Sequence, residues 1–565
     1  MPLNDLPHIA RTATAGQLIV NGRPFLVRGA ELQNSSFSSV QHMAGLWQKM
    51  VDMSVNTVLG SVSWEMVEPR EGHFDFSVID QVIRDARSYN LKLILLWFGT
   101  WKNGISTYVP RWVKMSPKRF PRVVVQTRDG RAEVTETISC VHGATVDADA
   151  AAFRSFVRHL NEVDGEQNTV VMVQVQNEVG VLGDSRDRSD AANEVYQSNV
   201  PSDLVRFLRE DWHTLHPDLK SKLEDRHTLV EGYNWPQTFG QSIYTDEMFM
   251  AYHYARYVEK VAQAGQSEHS LPMFANFWLN YGEDSMAKAY PTLAGGGDLP
   301  GDYPAGGAVS SVLDIWMKFA PSLSFISPDT YLNDYHRVCS TYRHRKQPLF
   351  IPEQRRDEYG ARRIWAAVGE YRAIGSCPFA LDTLEVDDCA YTKHYALMAS
   401  VEDLVMAAQR ETNSIAGFFF DEPDHKEASS HPDPVFEMAG YELTVERAFT
   451  TGAQGAGYGL IIHRETNSDG TAKFLLVGAG FQVKFRSLAT GTCFTGILDF
   501  EEKTRDQETG EFATHRRLNG DETRSGHQAI MPNEDPDDGG FPINICIPAV
   551  TKMAECIVYG LSAEG

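Results

Sequence analysis

Two glutamates stand at the ends of short apolar runs. Glu178 follows the run in the segment VQVQNEVG, and Glu353 follows the run in PLFIPEQRR. A carboxyl group beside apolar residues is desolvated, so its pKa rises and it can remain a general acid near neutral pH. Arg355 and Arg356 follow Glu353, and a nearby cation favours the ionised form that a nucleophile needs.

Hydrolysis of a glycosidic bond needs two such carboxyl groups. One group protonates the leaving oxygen, and in retaining enzymes the other attacks the anomeric carbon from a distance of about 5–5.5 Å. A single Asn-Glu after a strand is also a common helix start, because asparagine caps and glutamate favours helix N-termini. Two glutamates in equivalent places favour the catalytic interpretation.

The elements that must position these glutamates are eight near-continuous apolar runs. Such runs are typical of parallel strands covered on both faces, and the amphipathic segments 40–54 and 76–90 predict helices between them. The pattern predicts a (β/α)8 barrel over residues 1–410, with Glu178 at the fourth strand and Glu353 at the seventh. A doubly wound sheet is the alternative, but it would need a glycine-rich phosphate loop, and GAELQNSS is not one. The runs are FLVRGAE (25–31), NTVLGSV (56–62), KLILLWF (92–98), TVVMVQVQ (169–176), PMFANFWL (272–279), LSFIS (323–327), PLFIP (348–352) and CPFALD (377–382).

Residues 411–565 have a different pattern. Short strand-like runs divided by polar, glycine-rich turns predict a smaller all-β C-terminal domain. Glu501–Gly540 is acidic and poor in apolar residues, which predicts a long exposed loop or a partly mobile segment. The sequence leaves open whether this domain packs on the barrel, forms a homodimer interface or shapes the leaving-group side.

Composition limits the partners. The 565 residues carry a net charge of −23, which disfavours nucleic acid and anionic membranes and favours a neutral substrate. Seven scattered cysteines form no CxxC pair, so no zinc site is expected, although one or two disulfides stay open. Neither a metal nor an organic cofactor is predicted. The N-terminus lacks the apolar core of a signal peptide, and no run is long enough to span a membrane, which predicts a cytoplasmic protein unless a leader has been removed.

Seven motifs occur together, in order, between about residue 15 and about residue 480, and on them the chain resembles the β-galactosidases of glycoside hydrolase family 35, in the branch with a small C-terminal β-domain. The resemblance implies a TIM barrel of the large retaining-glycosidase clan, with Glu178 as acid/base and Glu353 as nucleophile. The motifs are NTVLGSVSWEMVEPREGHFDFSVID (56–80), LLWFGTWKNGISTYVPRWVK (95–114), VMVQVQNEVG (171–180), GDYPAGG (301–307), SPDTY (327–331), PLFIPEQRR (348–356) and CPFALD (377–382).

One position departs from the family pattern. Many members read Val-Glu-Asn-Glu where this chain reads Val-Gln-Asn-Glu, with Gln176 in place of a glutamate that usually helps to bind galactose hydroxyls. Gln176 can still hydrogen-bond a sugar, but it carries no charge. Asn177, next to it, is expected to hold the 2-hydroxyl, with helix capping as the alternative.

Further residues at strand ends or in loops are candidates for binding the sugar. Tyr331 can donate a hydrogen bond to Glu353, or it can be a packed core tyrosine. Trp64 and Trp101 can stack on a sugar ring, although tryptophan in such runs is more often core. The remaining candidates are Glu31 and Glu65, for sugar hydroxyls, and Tyr303, in a lid or leaving-group subsite.

The sequence therefore predicts a retaining exo-glycosidase acting on terminal β-D-galactosyl residues of oligosaccharides or polysaccharide side chains. A β-glycosidase of other specificity, such as one that removes galactose from xyloglucan side chains or one that prefers another sugar, is the first alternative. A carbohydrate-binding barrel without catalysis is the second.

Overall fold

The computed structural model describes residues 6–14, 16–127, 129–223, 225–281, 296–422, 432–518, 520–543 and 550–562. The chain divides into two compact units that each draw on several segments. The first contains residues 1–10, 18–354 and 377–385, and the second contains residues 11–17, 355–376 and 386–565. The single domain boundary drawn at residue 410 stays a prediction.

Eight parallel strands form the central sheet, and their spatial order follows the chain order from β1 to β8. A bridge between Glu31 and Phe379 joins the two ends of the sheet. This arrangement confirms the predicted (β/α)8 barrel. The strands are β1 (Gly29–Glu31), β2 (Thr57–Ser63), β3 (Lys92–Lys102), β4 (Val170–Asn177), β5 (Met273–Trp278), β6 (Phe325–Thr330), β7 (Ile351–Gln354) and β8 (Ser376–Pro378).

The strand register brings polar residues together at the carboxyl edge of the barrel. Lys102 pairs with Asn177 across β3 and β4, after an irregularity that follows Trp97. Asp329 pairs with Glu353 across β6 and β7. Strands β3 and β6 both extend beyond the apolar runs from which they were predicted. Their last residues include polar side chains that are buried, so the apolar pattern ends before the strand does.

Amphipathic helices cover the outside of the barrel sheet. In Ser77–Ser88, the buried residues Ile79, Val82, Ile83 and Ala86 recur at helical spacing. The other α-helices of the first unit are Val40–Ala44, Trp47–Asp52, Trp64–Val67, Arg111–Lys114, Gly143–Asp164, Asp190–Gln197, Ser202–Glu210, Pro217–Lys220, Trp235–Phe239, Ile243–Gln266, Leu313–Phe319 and Tyr335–Thr341. Short strands His8–Arg11, Gly16–Val20 and Arg23–Phe25 precede β1, and Arg122–Gln126 forms a hairpin with Ala132–Ile138.

The second unit contains two antiparallel sheets and the helices Glu358–Gly369, Ala390–Ala399 and Glu402–Ala408. One sheet has the order β9-β12-β13-β18-β15-β16 and the other β10-β11-β14-β17, around a core that includes Phe418, Phe474 and Phe481. The strands are β9 (Ile415–Phe420), β10 (Val435–Met438), β11 (Tyr441–Arg447), β12 (Gly457–Thr466), β13 (Ala472–Ala479), β14 (Phe481–Ser487), β15 (Thr492–Arg505), β16 (Phe512–Arg517), β17 (Gln528–Met531) and β18 (Met553–Ser562).

The long exposed loop predicted over Glu501–Gly540 is wrong. Strand β15 extends to Arg505 and pairs with β16, and β17 also lies in this interval. The charged side chains obscured the pattern because they pair across the strands, as Arg516 does with Glu502. Cross-strand ion pairs allow a highly charged segment to form a sheet.

Five cysteines of the described chain are free, namely Cys140, Cys377, Cys389, Cys493 and Cys556, and Cys546 lies outside the described residues. Among the described helices, none has the length and apolar character needed to cross a lipid bilayer.

Strand β2 offers a test of barrel packing. A Cβ atom on Gly60 would lie 2.4 Å from Cε2 of the buried Phe37. We expect Gly60→Ala to lower the free energy of unfolding by about 1–3 kcal/mol, measured by urea denaturation, because the ring must move. Gly143→Ala is the control, since a Cβ there meets no atom within 4 Å. Equal stability of the two variants would contradict this packing.

Candidate active site

The carboxyl ends of the barrel strands place seven buried polar residues in one region. Each comes from the last residues of a strand or from the residue directly after it, where the strands of such barrels carry their active sites. They are Glu31, Lys102, Asn177, Glu178, Asn276, Asp329 and Glu353, and each is less than a tenth exposed.

Glu353 is held by three hydrogen-bond donors. Its Oε1 accepts from Nδ2 of Asn276 at 3.1 Å and from Nδ2 of Asn177 at 3.3 Å. Its Oε2 accepts from the hydroxyl of Tyr331 at 2.8 Å. Donors to both oxygens fix the orientation of this carboxyl group.

Glu178 lies directly after β4 with a φ of 44°, in the left-handed region that is costly for a side chain larger than glycine. Its backbone N–H donates to Oδ1 of Asn276 at 3.3 Å, which helps to hold this conformation. Burial, followed by the charge of Glu353, raises the pKa of Glu178 to about 7, while Lys102 opposes the rise. A carboxyl group with this pKa can donate a proton near neutral pH.

The carboxyl groups of the two glutamates lie close together. One carboxylate oxygen from each of Glu178, Asp329 and Glu353 lies within 4.8 Å of the others. Retaining glycosidases space their catalytic carboxyls about 5–5.5 Å apart, whereas inverting enzymes use about 6.5–9.5 Å. The spacing of the pair is nearer to the retaining range than to the inverting one.

This spacing of three carboxylates would also allow a cation to be shared. An acidic cluster alone does not make a metal site, and the hydrolysis considered for this pair needs both glutamates free. We therefore assign no metal to Glu178, Asp329 and Glu353.

One buried cation accompanies the carboxyl groups. Burial alone would lower the pKa of Lys102, but Glu353, Glu178, Glu31 and Asp329 together hold that pKa above its ordinary value. Burial and the neighbouring carboxyls raise the pKa of Glu31 and of Asp329 well above the usual range. The site therefore contains one buried ammonium group beside three carboxyls, those of Glu31, Glu178 and Asp329, whose pKa values are raised by burial and by neighbouring charges.

Several polar atoms of the site have no hydrogen-bond partner among the described residues. They are both carboxyl oxygens of Glu31, Oδ1 of Asn177 and Oδ1 of Asp329. Leaving a buried polar atom unpaired costs about 1–3 kcal/mol, so these atoms suit a ligand that offers several hydroxyl groups.

The structure brings five of the predicted residues together: Glu31, Asn177, Glu178, Tyr331 and Glu353. Gln176 is not among them, which corrects its assignment to the sugar. Its Nε2 donates to Oδ2 of the buried Asp149 at 2.6 Å, and its Oε1 accepts from the backbone N–H of Trp101 at 3.0 Å. Both ends of the amide are thus occupied within the protein.

The two tryptophans are core residues, so their assignment as sugar platforms is also corrected. Trp64 is fully buried and donates to Glu68, and Trp101 is fully buried between Tyr254 and Tyr257. A large ring at a strand end gains more from burial than from exposure.

The other two candidates, Glu65 and Tyr303, stay predictions, and each has a partner within the protein. Glu65 is exposed and forms an ion pair with Lys114, with the N···O distance at 3.7 Å. The hydroxyl of Tyr303 donates to Glu247 at 2.6 Å. Lys102 also lies among the carboxyls, and Arg355 pairs with Asp357.

Three residues of the site were not singled out from the sequence. Lys102 and Asp329 lie beyond the apolar runs, and Asn276 is within one, PMFANFWL. The available signal was the presence of a polar residue in an otherwise apolar strand, which implies a buried partner.

Comparison with known proteins supports this description. Residues 39–238 match the sequence model of glycoside hydrolase family 42, described as β-galactosidase, and residues 391–530 match a domain of unknown function. The first match confirms the prediction of a β-galactosidase-like glycoside hydrolase, whereas membership of family 35 is not shown. A search of curated protein sequences returned no match.

Solved structures with a similar arrangement have low sequence identity to this chain. The β-galactosidase of Rahnella sp. R3 is 15% identical with a TM-score of 0.42, over 72% of this chain and 59% of that enzyme, so less than two thirds of it is spanned. The β-galactosidase of Bacillus circulans sp. alkalophilus is 10% identical with a TM-score of 0.46, over 94% and 99% of the two chains. The catalytic domain of β-amylase from Paenibacillus polymyxa is 12% identical with a TM-score of 0.44, over 65% and 96%.

The position of Gln176 can be tested through stability. Gln176→Glu places a second carboxyl against Asp149, so we expect a loss of about 1.5–3 kcal/mol in the free energy of unfolding at pH 8. The new carboxyl can bind a proton and donate to Asp149, which raises its pKa in the folded state. The hydrogen bond from the protonated carboxyl stabilises the fold at low pH and is lost as pH rises. The difference in free energy of unfolding between Gln176→Glu and the wild type should therefore shrink at pH 5.

Gln174→Glu, two residues earlier in β4, is the matched control, because the amide of Gln174 bonds a backbone carbonyl and no carboxylate. If position 176 instead contacts the sugar, Gln176→Glu will change KM and leave the pH dependence of stability as in the wild type.

Proposed function

We propose that the chain is a retaining exo-glycosidase that hydrolyses terminal, non-reducing β-D-galactosyl residues by double displacement. The observation that carries this proposal is the carboxyl pair of Glu178 and Glu353, with oxygens within 4.8 Å in a buried cluster. The matched β-galactosidase family supports the choice of sugar.

In the first step Glu178 donates its proton to the glycosidic oxygen while Glu353 attacks the anomeric carbon. The bond between that carbon and the leaving oxygen breaks with its electron pair, and an ester to Glu353 forms. The donors Asn177, Asn276 and Tyr331 keep the attacking carboxylate in place.

In the second step the ester breaks. Once Glu353 is esterified, its negative charge no longer raises the pKa of Glu178, so Glu178 now ionises and acts as a base. It takes a proton from water, the water oxygen bonds the anomeric carbon, and Glu353 leaves as a carboxylate. The sugar is released with its configuration retained.

Recognition of the sugar falls to the polar atoms that lack protein partners. Glu31, Asn177 and Asp329 offer oxygen atoms, and Lys102 offers an ammonium group among the carboxyls. Mixed donors and acceptors of this kind suit a neutral sugar with several free hydroxyls. Product-resolved hydrolysis of aryl glycosides, lactose and xyloglucan oligosaccharides distinguishes galactose from another sugar and identifies the aglycone.

The roles of the two glutamates differ in a measurable way. We expect Glu353→Gln to lower kcat on an aryl β-galactoside by at least about 10⁴-fold, because the nucleophile is lost. We expect Glu178→Ala to accumulate the glycosyl-enzyme with a dinitrophenyl galactoside, and added azide to release it as the β-galactosyl azide.

Glu247→Gln is the control variant. Glu247 is also a buried glutamate with a pKa raised by burial to about 7, but it bonds Tyr303 and Ser311 outside the site, so activity should persist. Near-normal turnover by Glu353→Gln, or an azide product of inverted configuration, would overturn the mechanism.

The pH profile provides a further test. Glu178 must be protonated to act as an acid, so kcat/KM is expected to fall as pH rises through about 7. Lys102 lowers the pKa of Glu178, so Lys102→Met should move this alkaline limb to higher pH. Lys102→Arg retains the charge and should leave the limb in place. A limb that stays fixed in Lys102→Met would contradict the assignment of Glu178 as the acid.

A further inference from the structure

Asn276 is bonded to all three carboxyl residues at the centre of the site. Its Nδ2 donates to Oδ2 of Asp329 at 2.8 Å and to Oε1 of Glu353 at 3.1 Å. Its Oδ1 accepts from the backbone N–H of Glu178 at 3.3 Å. Both amide hydrogens and the amide oxygen of this one side chain, which is 1% exposed, are therefore used inside the site.

We propose that Asn276 is a positioning residue that fixes the nucleophile Glu353 relative to the acid/base Glu178. The proposal rests on the proposed function for the roles of these two glutamates. Asn276 lies on β5. This strand is next to β4, which Glu178 follows, and β6 separates it from β7, which carries Glu353. It acts through these two glutamates, by its hydrogen bonds to the carboxylate of Glu353 and to the backbone N–H of Glu178.

An amide is the side chain that the three neighbours require. Asp329 and Glu353 each direct a carboxyl oxygen at Asn276, and the two N–H groups of Asn276 supply one donor to each. The backbone N–H of Glu178 needs an acceptor, and Oδ1 supplies it. The reversed amide would place its oxygen against two carboxylates, so Asp329 and Glu353 together hold the amide in one orientation.

The contact with Glu178 matters because of the backbone there. A φ of 44° is strained for glutamate, and such a residue relaxes unless the surrounding structure holds it. The Oδ1 atom of Asn276, together with the backbone carbonyl of Asn276 at 3.3 Å, provides two acceptors for the same N–H. Loss of Oδ1 weakens the restraint on the acid/base as well as on the nucleophile.

Asp329 gives Asn276 a second anchor. It pairs with Glu353 in the strand register and offers Oδ2 to Nδ2 of Asn276. The other charged or titratable groups that face this cluster are Lys102, Glu31, Tyr331 and Tyr281. Among the described groups, Asn276 is the side chain that bonds both catalytic glutamates, since Asn177 and Tyr331 bond Glu353 alone.

Two substitutions separate positioning from packing. Asn276→Ala removes all three side-chain bonds and adds no charge, so kcat should fall about 100-fold with KM within a few-fold of the wild type, as for a small misplacement of reacting groups. Asn276→Asp removes both donors and adds a carboxyl. It should lower kcat at least as much and also move the alkaline limb of kcat/KM to higher pH, because added negative charge raises the pKa of Glu178.

Asn56→Asp is the matched control. Its amide bonds the backbone of Leu26 and Arg28, next to the first residue of β2 and so at the end of that strand opposite the site. It should lose stability while the pH profile and the ratio of kcat to KM stay as in the wild type. Thermal melting and near-ultraviolet circular dichroism establish that each variant is folded before its kinetics are compared.

A crystal structure of Asn276→Ala keeps the test independent of the substrate. We expect the carboxylate of Glu353 to rotate, or the backbone at Glu178 to leave the left-handed region. Unmoved carboxyls, or a kcat within threefold of the wild type in both variants, would overturn the proposal. If the wild type hydrolyses none of the aryl glycosides, lactose or xyloglucan oligosaccharides, the proposed function fails. The crystal structure of Asn276→Ala still decides whether Asn276 positions the two glutamates.

Discussion

Four carboxyl groups and one ammonium group share a buried space at the carboxyl edge of the barrel, and repulsion among the carboxyls is the constraint on which the site depends. In a low dielectric, neighbouring carboxyls cannot all ionise. Burial, together with these neighbours, raises the pKa of Glu31 and Asp329 well above the usual range and that of Glu178 to about 7. The negative charge is thereby restricted to few places, and Lys102 balances it.

Hydrogen-bond donors are distributed unevenly among these carboxyl groups. Glu353 receives three, from Asn177, Asn276 and Tyr331, whereas no described residue donates a hydrogen bond to Glu31. Amides rather than acids occupy the positions between carboxyls, because an amide supplies donors without adding charge. The donors hold the carboxyl group of Glu353 in one orientation, while burial and the charge of Glu353 raise the pKa of Glu178.

A second buried acid shows the same solution away from the site. Asp149 is surrounded by donors from Trp97, Thr100, Tyr257 and Gln176. The glutamine that departs from the family pattern is therefore explained by its neighbour, because a glutamate there would face Asp149. A change that looked like altered sugar recognition in the sequence is a structural pairing inside the barrel.

The sequence by itself determined the barrel, the all-β domain and the two glutamates, because apolar runs and the residues at their ends are local features. It also indicated Asn177, Tyr331 and Glu31. Lys102, Asn276 and Asp329 could not be predicted, since their importance lies in neighbours on other strands, set by the register and by strands longer than their apolar runs. Likewise, only the tertiary structure decided that Trp64, Trp101 and Gln176 face the core. The residues of a strand alternate between the two faces of the sheet, and in a barrel both faces are buried. Either face can offer apolar and polar partners, so the sequence alone does not show which partners a residue has.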